Sequence, residues 1–186
     1  MKKILFALMA SSLTVMPSRA QVFRPSDVLT PEYGEGLAKG KPVCDLPPVP
    51  KAAAGKAESL PMGAGTINLP ADFTAEPQER PRSKRWNGGD STTFTILVDS
   101  FPMGGMAHGG GGGVKFESSP ACAISVDGHH AMVERLRVVM KADAIYLAII
   151  PVFARVGGII NASIEAPSAK RRDELISRFA ASSLAH

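Results

Sequence analysis

The sequence predicts an α+β domain: a mostly antiparallel sheet of five or six strands with a C-terminal helix packed on one face. Three observations carry this expectation. Apolar residues alternate at period two in Phe94, Ile96 and Val98, and again in Cys122, Ile124 and Val126, as a strand with one buried face requires. Turn-length breaks at Asp127-Gly128 and at Arg155 to Gly158 separate further apolar, branched runs. Past Pro167 the period lengthens, and Leu175, Ile176, Phe179, Ala180 and Leu184 recur at spacings of three and four. With 45% apolar and 20% charged residues, the composition excludes a chain disordered throughout.

Taken in chain order, residues 1–20 have the three parts of a secretory signal. Lys2 and Lys3 precede an apolar stretch from Ile4 to about Val15, and Ser18 and Ala20 suit cleavage before Gln21. Cleavage leaves 166 of the 186 residues. The alternative is an N-terminal anchor that is never cut, although the stretch falls short of the ~20 apolar residues of a membrane span. No cysteine stands near the cut to carry a lipid. Removing Lys2, Lys3 and Arg19 takes the net charge from +4 to +1, 18 basic residues against 17 acidic. A chain so near neutrality has no global field for phosphates, which removes nucleic acid as an expected partner. The expected location is periplasmic or secreted.

Residues 21–59 read as an extended arm rich in Pro, Gly, Ala and Lys. Pro47, Pro48 and Pro50 favour polyproline-like backbone, and Lys51 to Ala57 resembles a flexible link. A short helix over Pro31 to Lys39 is compatible with the sequence, with Gly34 and Gly36 against it. Cys44 and Cys122 are the only cysteines, 78 residues apart. An oxidising compartment lets such a pair persist as a disulfide, restricting the unfolded chain by roughly 4 kcal/mol. The other possibility is two unpaired thiols, one on the arm and one in a strand.

The globular domain is expected over residues 60–186. Thr66 to Leu69 suggest a short strand ending at Pro70, and Phe73 an anchor for the turn after it. Arg80, Arg82, Lys84 and Arg85 then lead to Trp86 and the turn residues Asn87 to Gly89, a run expected as a solvated loop. Strands follow at Thr92 to Asp99 and Ala121 to Asp127; after the Asp-Gly turn the chain returns through Ala131 to Met140. Ile145 to Phe153 and Gly158 to Ala166 form the arms of a hairpin. Ser168 caps the final helix, whose Lys170, Arg171 and Arg172 are expected on a solvated face beside Asp173 and Glu174.

Candidate chemistry clusters around a glycine tract. Gly104 to Gly113 holds seven glycines, but Val114, Lys115 and Phe116 follow where a phosphate loop needs a helix and a Lys before Ser or Thr. Met103, Met106 and His108 bring two thioethers and an imidazole together, a soft set suited to monovalent copper, with His129 and His130 as further donors. The alternative is a flexible tip that happens to contain Met and His. His129 and His130 beside Asp127 also have acid-base potential, yet the chain contains neither a Gly-x-Ser-x-Gly elbow nor a His-Glu-x-x-His motif. Asp90, Asp99, Glu117 and Asp127 are explained by turn and strand-end polarity.

One family resemblance rests on the order of these features. A strand ending in Leu69-Pro70 before Asp72 and Phe73, the Cys122 to Gly128 strand and its Asp-Gly turn, Ala131, the Ile145 to Ala166 hairpin and the helix running to Ser182, Ser183 and Leu184 together resemble the PsbP-like group of exported α/β/α sandwich domains. The resemblance covers about residues 60–184, and the glycine tract departs from the usual pattern. It implies a non-enzymatic domain that binds or assembles with a protein of the cell envelope. Copper handling through the Met/His loop is the alternative function.

Overall fold

The computed structural model describes residues 30–49, 55–78, 80–99, 114–140, 143–154 and 158–185. The fold is α+β, mostly antiparallel, with the expected C-terminal helix, but among the described residues ten strands form two sheets, rather than the expected five or six strands in one. The larger sheet contains β3 (Thr74–Ala75), β4 (Ser83–Asn87), β5 (Thr93–Asp99), β6 (Val114–Val126), β7 (His129–Met140), β8 (Asp143–Ala154) and β9 (Gly158–Ala166). Its order is β3-β4-β5-β9-β8-β7-β6, and every neighbouring pair is antiparallel. The smaller sheet is β1 (Lys56–Ser59), β2 (Gly65–Leu69) and β10 (Ser183–Leu184), with β2 central.

Two helices cover opposite faces of the large sheet. Helix α2 (Ala169–Ala180) starts where Ser168 Oγ accepts the Arg171 N–H at 3.2 Å, as the sequence predicts. Leu175, Ile176 and Phe179 are fully buried against Phe94, Ile150, Val152 and Ile164. Each such side chain contributes about 1.5–3 kcal/mol over an exposed one. Trp86, Phe94 and Phe179 continue as a chain of rings, with centroids 5.7 and 6.1 Å apart.

Helix α1 (Pro31–Ala38) lies on the other face, over Phe153, whose neighbours Val152 and Ala154 point towards α2. Thr30 caps it, its hydroxyl accepting the Tyr33 N–H at 3.4 Å, and Pro31 supplies the fixed first turn. The glycines that count against a helix here have a packing reason. A Cβ on Gly34 would sit 2.7 Å from the Phe153 ring, so the close approach of helix to sheet needs glycine.

Two further differences from the sequence expectations share one cause, pairing between distant segments. The basic run expected as a solvated loop is in large part β4, paired with β5 along its whole length and holding the fully buried Trp86. Lys56 and Ala57, read as a flexible link, belong to β1 and pair with Leu69 and Asn68.

Candidate functional site: the strapped sheet edge

The arm does not hang free of the domain. After α1, Gly40 at φ +74° turns the chain towards the open edge of β6. There the Ala123 N–H donates to the Pro42 carbonyl at 2.8 Å and the Cys44 N–H to the Ala123 carbonyl at 2.9 Å. This forms a short parallel bridge between Val43 and Ala123. A disulfide joins Cys44 to Cys122, Cα atoms 5.0 Å apart, with both cysteines buried. Beyond it, Leu46 packs on the core and the Ser177 hydroxyl of α2 donates to the Pro47 carbonyl at 2.7 Å. The segment is a strap that starts on the α1 face, rounds the edge and ends on the α2 face.

The strap and α1 enclose a hollow of about 630 Å³. Ala38, Val43 and Ala123 give it apolar ground, with Glu35, Lys39 and His130 among its charged and polar walls. Val43 is 85% exposed, an apolar side chain in open view beside two lysines, Lys39 and Lys41. A second, polar hollow of about 390 Å³ lies by β4 between Glu76, Arg80, Lys84 and Arg85.

The sequence-derived candidates are placed unequally. Met103, Met106 and His108 lie outside the described residues. His129 and His130 are adjacent on β7, so their side chains go to opposite faces. His129 stands opposite Val126, and His130 stands opposite Ser125 beside the α1 hollow. The structure therefore does not bring the two imidazoles to one side. Among the described residues, no group of three or more His, Cys, Asp and Glu side chains could hold a metal ion.

The carboxylates weighed for acid-base work have structural partners. Asp127 adopts φ 49° in the β6–β7 turn and its Oδ2 accepts the Leu184 N–H at 2.8 Å, tying that turn to β10. At Asp90, burial favours the neutral acid but is outweighed by the Thr92 hydrogen bonds and the Arg171 charge, so its pKa is lowered. Glu117 is held low by Lys115 first and then Arg137, at 2.7 and 2.8 Å.

Of the three basic residues of α2 expected on a solvated face, Lys170 is exposed but Arg171 and Arg172 are not. Arg171 reaches Asp72 at 2.6 Å, Asp90 at 3.2 Å and Glu174 at 3.1 Å, and lies 5.3 Å from the Phe73 ring centre. Arg172 and Arg178 are buried, Arg178 bonding Glu174 and the Asn68 carbonyl. Sequence reasoning also missed Glu58. Its carboxylate is pulled down to about 2, by Lys56 first and with Lys84 adding to it, against the opposing effect of burial. No local pattern marks that site, because Glu58 and Lys84 are 26 residues apart.

No family model and no curated protein matches the chain. Among solved structures it is similar to a protein from Bacteroides thetaiotaomicron at 14% identity and TM-score 0.49, over 72% of this chain. The chain spans 49% of that protein's length. It is also similar to the Saccharomyces cerevisiae Ran-binding protein Mog1p, at 12% identity and TM-score 0.44, covering 68% of this chain and 84% of Mog1p. A point mutant of Mog1 gives 13% identity, TM-score 0.42, and coverage of 66% and 82%.

Proposed function

We propose that the chain is an exported, non-enzymatic binding or assembly domain of the PsbP-like kind, which engages a protein of the cell envelope through the strapped edge. The hollow beside α1 carries this reading. Its apolar centre and charged border have the composition of a small protein-binding patch, where an apolar anchor is surrounded by polar contacts. The occupant it fits is a peptide segment with one apolar side chain for Val43 and Ala123, flanked by polar groups of both signs to meet Glu32 and Glu35 as well as Lys39 and Lys41. Export is supported by the signal-like residues 1–20 and by a disulfide suited to an oxidising compartment. Among the described residues no helix is long and apolar enough to cross a membrane.

A photo-crosslinking residue at Val43 tests this in cells, with the same residue at exposed Lys170 as control. The expected result is one envelope protein captured from position 43 and not from 170, on a chain whose mature N-terminus is Gln21. The purified partner should bind the wild type and lose at least about tenfold in affinity on Val43→Asp. Equal capture at both positions, or unchanged affinity, would overturn the reading. Copper handling is the competing outcome. It would appear as Cu(I) competition against a chromogenic chelator that Met103→Ala and Met106→Ala abolish.

A further inference from the structure

We propose that Arg135, Arg137 and Arg172 form a binding site for a single oxyanion, a carboxylate or phosphate group, on the α2 face of the large sheet. The site is remote from the α1 hollow in construction and holds whether or not the strapped edge binds a partner. Along β7, Ala131 and Val133 are fully buried in the core beneath α2. Strand alternation sends Arg135 and Arg137 to that same face, where the apolar core gives way to charge. In register, Arg137 lies between Glu117 and Tyr146, and Arg135 between Ser119 and Ala148. Arg172 descends from the first turn of α2 onto the same tyrosine. Its guanidinium and that of Arg137 each lie 5.9 Å from the Tyr146 ring centre.

The local charges do not balance. Arg137 and Lys115 share one carboxylate, Glu117. Arg172, 6% exposed, has Asp173, its own sequence neighbour, as its ion-pair partner at 2.8 Å. Arg135 makes no ion pair among the described residues. The Nε atoms of both Arg135 and Arg137 are buried, with no hydrogen-bond acceptor among the described residues. The Arg137 side chain is 42% exposed and has Glu117 and Tyr146 as partners. Guanidinium groups nevertheless carry five donors and no acceptor, so donors left over in such a cluster favour an anion that reaches the exposed part of the fork. A carboxylate or phosphate offers several lone pairs in the spacing that the planar guanidinium matches. The first turn of α2 adds the positive end of a helix dipole. The net charge of +1 that the proposed cleavage after Ala20 would leave argues for one anionic group rather than a polyanion.

Arginine Nε–H resonances give a direct readout on the intact mature protein. Titration with inorganic phosphate in one arm and acetate in the other, at constant ionic strength set by chloride, distinguishes the two anion types. The expected result is a saturable shift of the Arg135 and Arg137 Nε–H signals in at least one arm. Arg135→Gln should weaken it by about tenfold and Arg135→Lys by less, since lysine keeps the charge and loses the fork. Val43→Asp should leave the titration unchanged, which separates this site from the α1 hollow. Shifts that are linear in both arms, or equal to those given by chloride alone, would overturn the proposal. So would unaltered affinity in an Arg135→Gln protein whose Tm shows it is folded.

Discussion

The two helices cover the same sheet by different means. Helix α2 spans 12 residues and buries Leu175, Ile176 and Phe179 in the main core, so its own sequence pattern holds it in place. Helix α1 has eight residues, two of them glycine, and its buried residues are Gly34 and Ala38. A helix of that length is marginal in water without help. Its help is the Tyr33–Phe153 ring contact at 5.3 Å, two backbone hydrogen bonds at Ala123 and the disulfide behind them. One face is closed by packing and the other by a covalent strap, so the two should fail under different insults.

The largest expected effect is on the packed side. Phe179→Ala empties a fully buried site between Phe94 and the small sheet and should cost about 3–5 kcal/mol by denaturant unfolding. A loss below about 1 kcal/mol would mean that α2 is not held by its apolar stripe. On the strapped side, Cys44→Ser releases a loop of 78 residues and should cost about 2–4 kcal/mol. Hydrogen exchange should then quicken first at Cys44, Ala123 and α1, ahead of α2. Simultaneous loss of protection in both helices would erase the contrast.

Acid should act through Glu58. Glu58 has a pKa lowered from 4.5 to about 2 by Lys56 and Lys84, so its contribution is complete above pH 4.5 and is lost as pH falls towards 2. The Tm of the wild type should drop across that window more steeply than the Tm of Glu58→Gln. Parallel acid limbs would show that these ion pairs contribute nothing. The smallest effects come from the two glycines of α1. Gly36→Ala meets nothing within 4 Å and should gain up to about 1 kcal/mol of helix propensity. Gly34→Ala earns the same propensity but drives a Cβ into Phe153, so α1 should loosen and its amides exchange faster.

These contrasts track what could be read in the sequence. Where contacts are local the pattern was sufficient: the alternation of Phe94, Ile96 and Val98, the Asp127-Gly128 turn, the Ser168 cap and the apolar stripe of α2 all stand as expected. Long-range partners were not readable. Lys84 and Arg85 look like loop residues until β4 is paired with β5 and Glu58 is brought to Lys84. Arg172 looks solvated until Tyr146 arrives beside it. Gly34 counts against a helix on propensity alone, and only the nearness of Phe153 reverses its meaning. The same holds for the α1 hollow, whose walls come from the arm, β6 and β7.

The strap also imposes an order of events on a chain made from its N-terminus. Cys44 is synthesised 78 residues before Cys122, a delay of roughly 4–16 s at ordinary rates of elongation. During that interval its thiol has no partner within the chain, and the strand edge that receives Pro42 and Cys44 does not yet exist. Helix α1 waits longer still, since Phe153 is made later than Cys122. The first described helix to leave the ribosome is thus fastened only after most of the sheet beneath it has been made.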